Sequence, residues 1–240
     1  MRIAVVSDIH GNLTAFEAVL QNLRESAPDL VLHGGDLAEG GARPVEVIDS
    51  IRSLGWQGVV GNTDEVLWAH ERLEDMATRA PKLRPLMTCI SEIVATTCEW
   101  LGADRIAWLR TLPQVKHNGP LALVHAAPND LWRAPLATAS DAELESVYSV
   151  LGAPIAVYGH IHTPFVRHCG RITVANSGSV GIPYDGDTRA SYLLLDGPHV
   201  SIQRVEYDID AECRVLLQSG LPHATWVAQL LRDGRYTPPL

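Results

Sequence analysis

Short apolar runs alternating with amphipathic helical patterns open the chain, and this rhythm constrains the fold more than any other feature. Arg2–Ser7 (RIAVVS), Asp29–Leu32 and Gly58–Val60 have the length and apolar content of buried strands. Between the first two, Leu13–Glu25 places Leu13, Phe16, Leu20 and Leu23 on one helical face, with Asn12 in the N-cap position. Between the second and third, Pro44–Leu54 reads as a helix with Pro44 in its first turn and Gly55 just past its end. A βαβαβ succession implies a parallel sheet with helices packed against it.

The pattern changes at Glu65–Leu112, which is mostly helical, with breaks at Pro81 and Pro85. It reads as a helical insertion, not as a separate domain. Strands return at Leu121–Val124, Ile155–Val157, Ile172–Ala175, Ser191–Leu195 and Val200–Val205. A Gly197-Pro198 turn joins the last two into a hairpin. A helix is expected over Asp141–Leu151 behind Ser140, and two more over Ala211–Leu217 and Ala224–Arg232. The expected class is α/β (α+β), with one domain over residues 1–240.

Hydrophobic residues make up 46% and charged residues 20%, an ordinary globular mix. The net charge of -9 argues against generic nucleic-acid binding, which needs a basic footprint. Cys89, Cys98, Cys169 and Cys213 form no CxxC pair, so neither a thiolate zinc site nor a redox motif is indicated. The first apolar run is too short for a signal peptide and is interrupted by Asp8, and no stretch is long enough to span a membrane. A cytoplasmic protein is expected.

The chemistry lies where the apolar runs end. VVSDIH ends in Asp8 and His10, LVLHGGD in Asp36, and GVVGN in Asn62. LALVH ends in His125, and IAVYGHIH in His160 and His162. Open α/β sheets bind ligands outside the carboxyl ends of their strands, so these side chains can converge. Asp and Asn are also common turn residues, but turn chemistry does not select histidine. Gly35, Gly61 and Gly159 precede three of the donors and permit sharp turns there. Two carboxylates, one amide oxygen and four imidazoles exceed what one ion needs, but suit two ions that share a carboxylate. With no thiolate, the set favours divalent manganese, iron or zinc. Two such ions would leave a net charge of about +2, able to bind a phosphate.

In order, Asp8-Ile-His10, Gly35-Asp36, Gly61-Asn62, His125 and Gly159-His160-Ile-His162 resemble the motifs of the calcineurin-like metallophosphoesterase superfamily. SDIHGN near the start, NSGSVGIP (Asn176–Pro183) and ASYLLLD (Ala190–Asp196) are most similar to its small bacterial and archaeal phosphodiesterase branch. The resemblance implies a four-layer αββα sandwich of two mixed sheets. It implies two divalent ions, with manganese the form expected in vitro. Asp8, His10, Asp36 and His162 would hold one ion, and Asp36, Asn62, His125 and His160 the other. A metal-bridging hydroxide would attack phosphorus in line. The substrate would be a small phosphorylated compound, with nucleotides among the candidates.

The chain departs from that pattern at Thr63, where many members carry a histidine thought to protonate the leaving group. Phosphodiesters are therefore the first expectation. Phosphomonoesters and nucleotide pyrophosphates or dinucleoside polyphosphates are the alternatives. A non-catalytic scaffold of the same fold should show eroded donors, and here all seven are present. Three further residues are candidates. Asp64 is a second acceptor behind a liganding group or a helix cap. His33 is a proton donor or a core residue. Asn12 is a phosphate contact or the cap already noted.

Overall fold

The computed structural model describes residues 1–239. The chain opens with β1 (Arg2–Val6), α1 (Leu13–Ser26), β2 (Leu30–His33), α2 (Pro44–Leu54) and β3 (Gln57–Gly58). Then follow α3 (Asn62–Glu65), α4 (Glu71–Arg79) and α5 (Arg84–Leu109). The second half contains β4 (Val115–Asn118), β5 (Leu121–Val124), α6 (Asp141–Tyr148), β6 (Ile155–Tyr158), β7 (Phe165–Cys169) and β8 (Ile172–Asn176). It closes with β9 (Ala190–Asp196), β10 (His199–Val205), α7 (Ile209–Gln218) and α8 (Ala224–Asp233).

Two mixed five-stranded sheets result, ordered β10-β9-β1-β2-β3 and β4-β5-β6-β8-β7. The strands β1, β2 and β3 are parallel, as are β5, β6 and β8. Successive side chains on a strand face opposite ways, so each strand feeds two cores. Ile3, Val5, Leu121, Leu123, Ile155, Val157, Leu193 and Leu195 pack in one cluster between the sheets. Ala4, Val6 and Tyr192 face outward onto Phe16 of α1, Ile48 of α2 and Val94 of α5. On the other outer face, Val124, Ala156 and Tyr158 meet Leu144 and Tyr148 of α6. The layers are therefore αββα, as the resemblance implies.

Local expectations hold where periodicity was strong. Pro44–Leu54 is a helix with those bounds, ended by Gly55 in the left-handed region at φ 66°. Ser140 Oγ accepts from Glu143 N, and a 3-10 turn over Ser149–Leu151 finishes the segment after α6. Gly197, at φ 59°, turns the β9–β10 hairpin.

Three expectations need correction. The third apolar run yields only the two-residue β3. Beyond it, Val59 N donates to His33 O at 3.0 Å, but Val60 N turns to Pro113 O at 3.0 Å. The strands β4 and β7 were not anticipated. They edge the second sheet and carry VKHN and FVRHC, and an edge strand tolerates polar residues that blur a strand pattern. Pro85 begins α5 instead of breaking it, because a first-turn residue needs no intrahelical N–H. The actual kink in α5 is Gly102, at φ 68° and ψ 170°.

Candidate metal centre

All seven strand-end donors meet at one end of the two sheets. Asp8 and His10 follow β1, Asp36 follows β2 and Asn62 opens α3, all on the first sheet's side. His125 follows β5, and His160 and His162 follow β6, all on the second sheet's side. The chain must turn sharply at each of these ends. Asp8, His10, Asp36, His160 and His162 have φ between 51° and 64°. Among the described residues, only Ala27 and His223 share that left-handed conformation without being glycine.

The donors form two groups. Asp8, His10, Asp36 and His162 offer ligand atoms that all lie within 4.8 Å of one another, and so do Asp36, His125 and His160. Asp36 belongs to both groups. Its Oδ2 faces His10 Nε2 at 3.8 Å and His125 Nε2 at 3.4 Å. Asn62 joins the second group, with Oδ1 2.8 Å from both His125 Nε2 and His160 Nδ1. Ile161, between the two histidines, packs outward against the cluster under α6.

Each histidine spends one ring nitrogen on a backbone carbonyl. His10 Nδ1 lies 2.7 Å from Glu39 O, and His162 Nδ1 lies 2.5 Å from Ile182 O. His125 Nδ1 lies 2.8 Å from Gly34 O, and His160 Nε2 lies 3.1 Å from Trp132 O. A carbonyl only accepts, so these nitrogens carry the protons and the other lone pair of each neutral ring points inward. His10 Nε2 and His162 Nε2 then oppose each other at 3.3 Å with no hydrogen between them. Only a proton or a cation relieves that arrangement. At Asn62, either a turned amide or a cation would do so. The donor set therefore fits metal ions.

The electrostatics agree. Burial opposes charge on His10, but Glu39, Asp36 and Asp8 raise it to about 9. Burial likewise opposes charge on His125, but Asp36, Asp8 and the Gly34 carbonyl raise it to about 9. His160 goes down to about 4, through burial and the charge of His125. Burial resists ionisation of Asp36, but His125, His10 and His160 hold it far below the ordinary carboxylate range. Without metal, the cluster attracts positive charge as protons, and a divalent ion would displace them.

Close approach at the strand ends depends on glycine. A Cβ on Gly61 would collide with the carboxylate and backbone nitrogen of Asp36. A Cβ on Gly159 would collide with Asp8 Oδ2 and Ser7 Oγ. Asp64 makes no hydrogen bond to a liganding side chain among the described residues. It accepts from Asp36 N at 2.9 Å, Leu37 N at 3.0 Å and Gly61 N at 3.0 Å, so it ties the Asp36 loop to the start of α3. It lies at the third residue of α3, not before the helix, and accepts from the N–H of Gly61 that precedes it.

Asn12 and His33 lie elsewhere. Asn12 Oδ1 caps α1 by accepting from Ala15 N at 3.0 Å, and its Nδ2 donates to Gly181 O at 3.0 Å. Its amide is spent on structure. His33 is fully buried, with its ring 6.2 Å from that of Trp108 and neither ring nitrogen hydrogen-bonded.

Sequence reasoning missed the loop after β8 as a support. Ser179 Oγ donates to Asp8 O at 2.7 Å and accepts from Ile182 N at 2.8 Å, and Ile182 O in turn holds His162. Asn176 Nδ2 donates to Gly159 O at 2.5 Å. The only sequence signal for these residues was the NSGSVGIP block itself. Glu39 and Tyr184 carried none, although Tyr184 stacks on His162 with ring centroids 4.4 Å apart.

The fold is an αββα sandwich whose strand ends gather two Asp/His clusters around one shared carboxylate. The calcineurin-like phosphoesterase superfamily domain model matches residues 1–198, and the chain belongs to that family. An uncharacterised protein of Methanocaldococcus jannaschii is 29% identical, over 97% of this chain and 98% of its own length. The phosphodiesterase YfcE of Escherichia coli is 26% identical, over 84% of this chain and 91% of its own. A symmetrical bis(5'-nucleosyl)-tetraphosphatase of Methylococcus capsulatus is 31% identical, over 61% of this chain and 50% of its own. The crystal structure of a metallophosphoesterase from Sphaerobacter thermophilus superposes with a TM-score of 0.78 at 25% identity, covering 98% and 99% of the two chains. No helix among the described residues is long and apolar enough to cross a membrane.

Proposed function

We propose that this chain hydrolyses phosphodiester bonds with two divalent cations, manganese, iron or zinc. Asp8, His10, Asp36 and His162 would hold one ion, and Asp36, Asn62, His125 and His160 the other. The observation that carries this reading is Asp36 Oδ2 facing a histidine of each group. When bound, the ions would supply Lewis-acid polarisation of the phosphoryl group and of the attacking water.

The chain itself contributes positioning. Thr63 N donates to Asp36 Oδ1 at 2.9 Å, which leaves Oδ2 free for both groups. Carbonyls of Glu39, Ile182, Gly34 and Trp132 fix the four ring orientations. Thr63 lines the cavity beside the donors, and its buried hydroxyl has no partner. A threonine hydroxyl can donate a hydrogen bond to substrate but cannot act as a general acid near neutral pH, a contribution of about 10²–10⁴-fold. That favours esters whose leaving group needs little protonation. The phosphodiesterase among the relatives supports the same substrate class.

The test is metal content and turnover of the manganese-reconstituted protein. About two ions per chain and hydrolysis of bis-p-nitrophenyl phosphate are expected. Less than one ion per chain with no hydrolysis would refute the enzyme reading. Turnover of p-nitrophenyl phosphate far faster than its diester would overturn the diester preference. Asp36→Asn should abolish activity and weaken both ions, so full metal occupancy in that variant would contradict the shared position.

A further inference from the structure

We infer that the substrate carries a compact, uncharged apolar group on its phosphoryl centre, a small aryl or branched alkyl ester, and that α5 and α8 select it against polyphosphates. This rests on the phosphoesterase reading above and adds a substrate class to it.

The donors His10, Asp36, Asn62, His160 and His162 form one wall of a cavity of about 170 Å³. The facing wall is apolar and helical: Leu86, Ile90 and Ile93 from α5, and Trp226, Val227 and Leu230 from α8. Tyr184 and Tyr236 close the side, with ring centroids 5.6 Å apart and nearly perpendicular. An apolar cavity of about 150 Å³ is large enough to bind benzene. This one has room for a single such group beside the phosphoryl position. Two nucleosides joined by four phosphates would have to extend past these apolar walls through the cavity's open side.

Charge excludes the same ligands. No lysine or arginine lines the cavity among the described residues, and Glu39 adds a carboxylate 3.7 Å from His10 Nδ1. One phosphoryl group can be neutralised at the metal-donor wall. Each further phosphate would lie against leucine, isoleucine and tryptophan with no cation of its own, and burying an uncompensated charge is costly.

The wall is also anchored from behind. Ile93, Val227 and Leu230 share one buried cluster with Cys213 and Leu216 of α7. His223 Nε2 at the head of α8 pairs with Glu92 Oε2 of α5 at 2.7 Å. Trp226 Nε1 donates to Thr237 O at 2.8 Å, which draws the segment bearing Tyr236 over the cavity. The helix α8 lies beyond residues 1–198, the part matched by the family model. Only the α8 half of the wall therefore comes from outside the span of that model, and α5 lies within it.

The test measures binding, not turnover. Phenylphosphonate, methylphosphonate and inorganic phosphate are titrated calorimetrically into the manganese-loaded protein. Phenylphosphonate should bind at least tenfold more tightly than methylphosphonate. Trp226→Ala and Ile90→Ser should each cut that ratio to below threefold, with melting temperatures recorded to confirm folding. Trp226 is half-buried and packs on the edge of the buried cluster, so the Ile90→Ser variant gives an independent reading of the same wall. Equal affinity for the two phosphonates would overturn the inference and leave the phosphoesterase reading standing. So would a kcat/KM for diadenosine tetraphosphate above that for bis-p-nitrophenyl phosphate. If none of the three anions binds, both fall.

Discussion

At the residue scale, the centre is assembled by backbone that L-residues avoid. Five of its donors sit in the left-handed region, where a side chain costs roughly 1–2 kcal/mol per residue. Cross-strand bonds hold them there, such as Asp8 N to Gly35 O and His10 N to Asp36 O, both at 3.0 Å. The strain is measurable by comparing two truncations. His10→Ala and His10→Gly both remove the imidazole, but only glycine relaxes at φ 51°. In chemical denaturation of metal-free protein, His10→Gly should be the more stable by about 1 kcal/mol, the reverse of the usual order in regular structure. Equal stabilities would show that the turn is not strained. His33 gives a second residue-scale expectation. Burial lowers its pKa to about 4, against about 6.5 when unfolded. The unfolded chain therefore takes up the proton first as pH falls, and stability is lost between about pH 6.5 and 4. Between pH 7 and 5 the wild type should lose about 2 kcal/mol more than His33→Leu. A difference near zero would mean that the ring is hydrated or already charged. Neither property was legible beforehand. The sequence showed that Asp, Asn and His end apolar runs, which sufficed to name the donors. It placed Asn12 at the cap of α1, but it could not show that the amide nitrogen is held by Gly181, or that His33 faces Trp108.

At the element scale, legibility followed burial. Strands buried on both faces, such as β1, β5 and β6, are continuous apolar runs and stand out from their surroundings. So does α2, with Val47, Ile48 and Ile51 buried on one face. The edge strands β4 and β7 did not stand out, because a strand paired on one side can carry Lys116, His117, Arg167 and His168. Loops were the least legible, because their order comes from partners distant in sequence. The segment Ser177–Ile182 is held by Ser7, Asp8 and Tyr158, and it holds His162 and Asn12 in return. Each of those bonds links residues more than fifteen positions apart, so no local pattern encodes them. The helical wall is of the same kind. The sequence marked Glu65–Leu112 and the C-terminal pieces as helical. That Ile90 and Leu230 face one cavity is a consequence of how α5 and α8 pack.

At the scale of the whole molecule, the position of the donors makes metal a structural link. The first group joins Asp8, His10 and Asp36 from one sheet to His162 from the other. The second joins Asp36 and Asn62 to His125 and His160 in the same way. Otherwise the sheets meet mainly through apolar side chains such as Val5, Leu123 and Val157, which are not directional. Ions bound on the proposed ligands would fix the two sheets at one end, and they would bind the folded chain alone. Stabilisation then follows mass action, at about 4 kcal/mol for free metal at a thousand times its Kd. For a chain of this length that is a melting shift on the order of 10 °C. Stripping with EDTA should lower the melting temperature by that amount, and titrating manganese back should restore it. Hydrogen exchange distinguishes a link between sheets from a local clamp. If the ions join the sheets, metal must slow exchange in β1 and β6 together, because β1 cannot open without breaking the first group, nor β6 without breaking both. Protection confined to the loops after β1 and β2 would place the ions on the first sheet alone and refute the assignment of His125, His160 and His162.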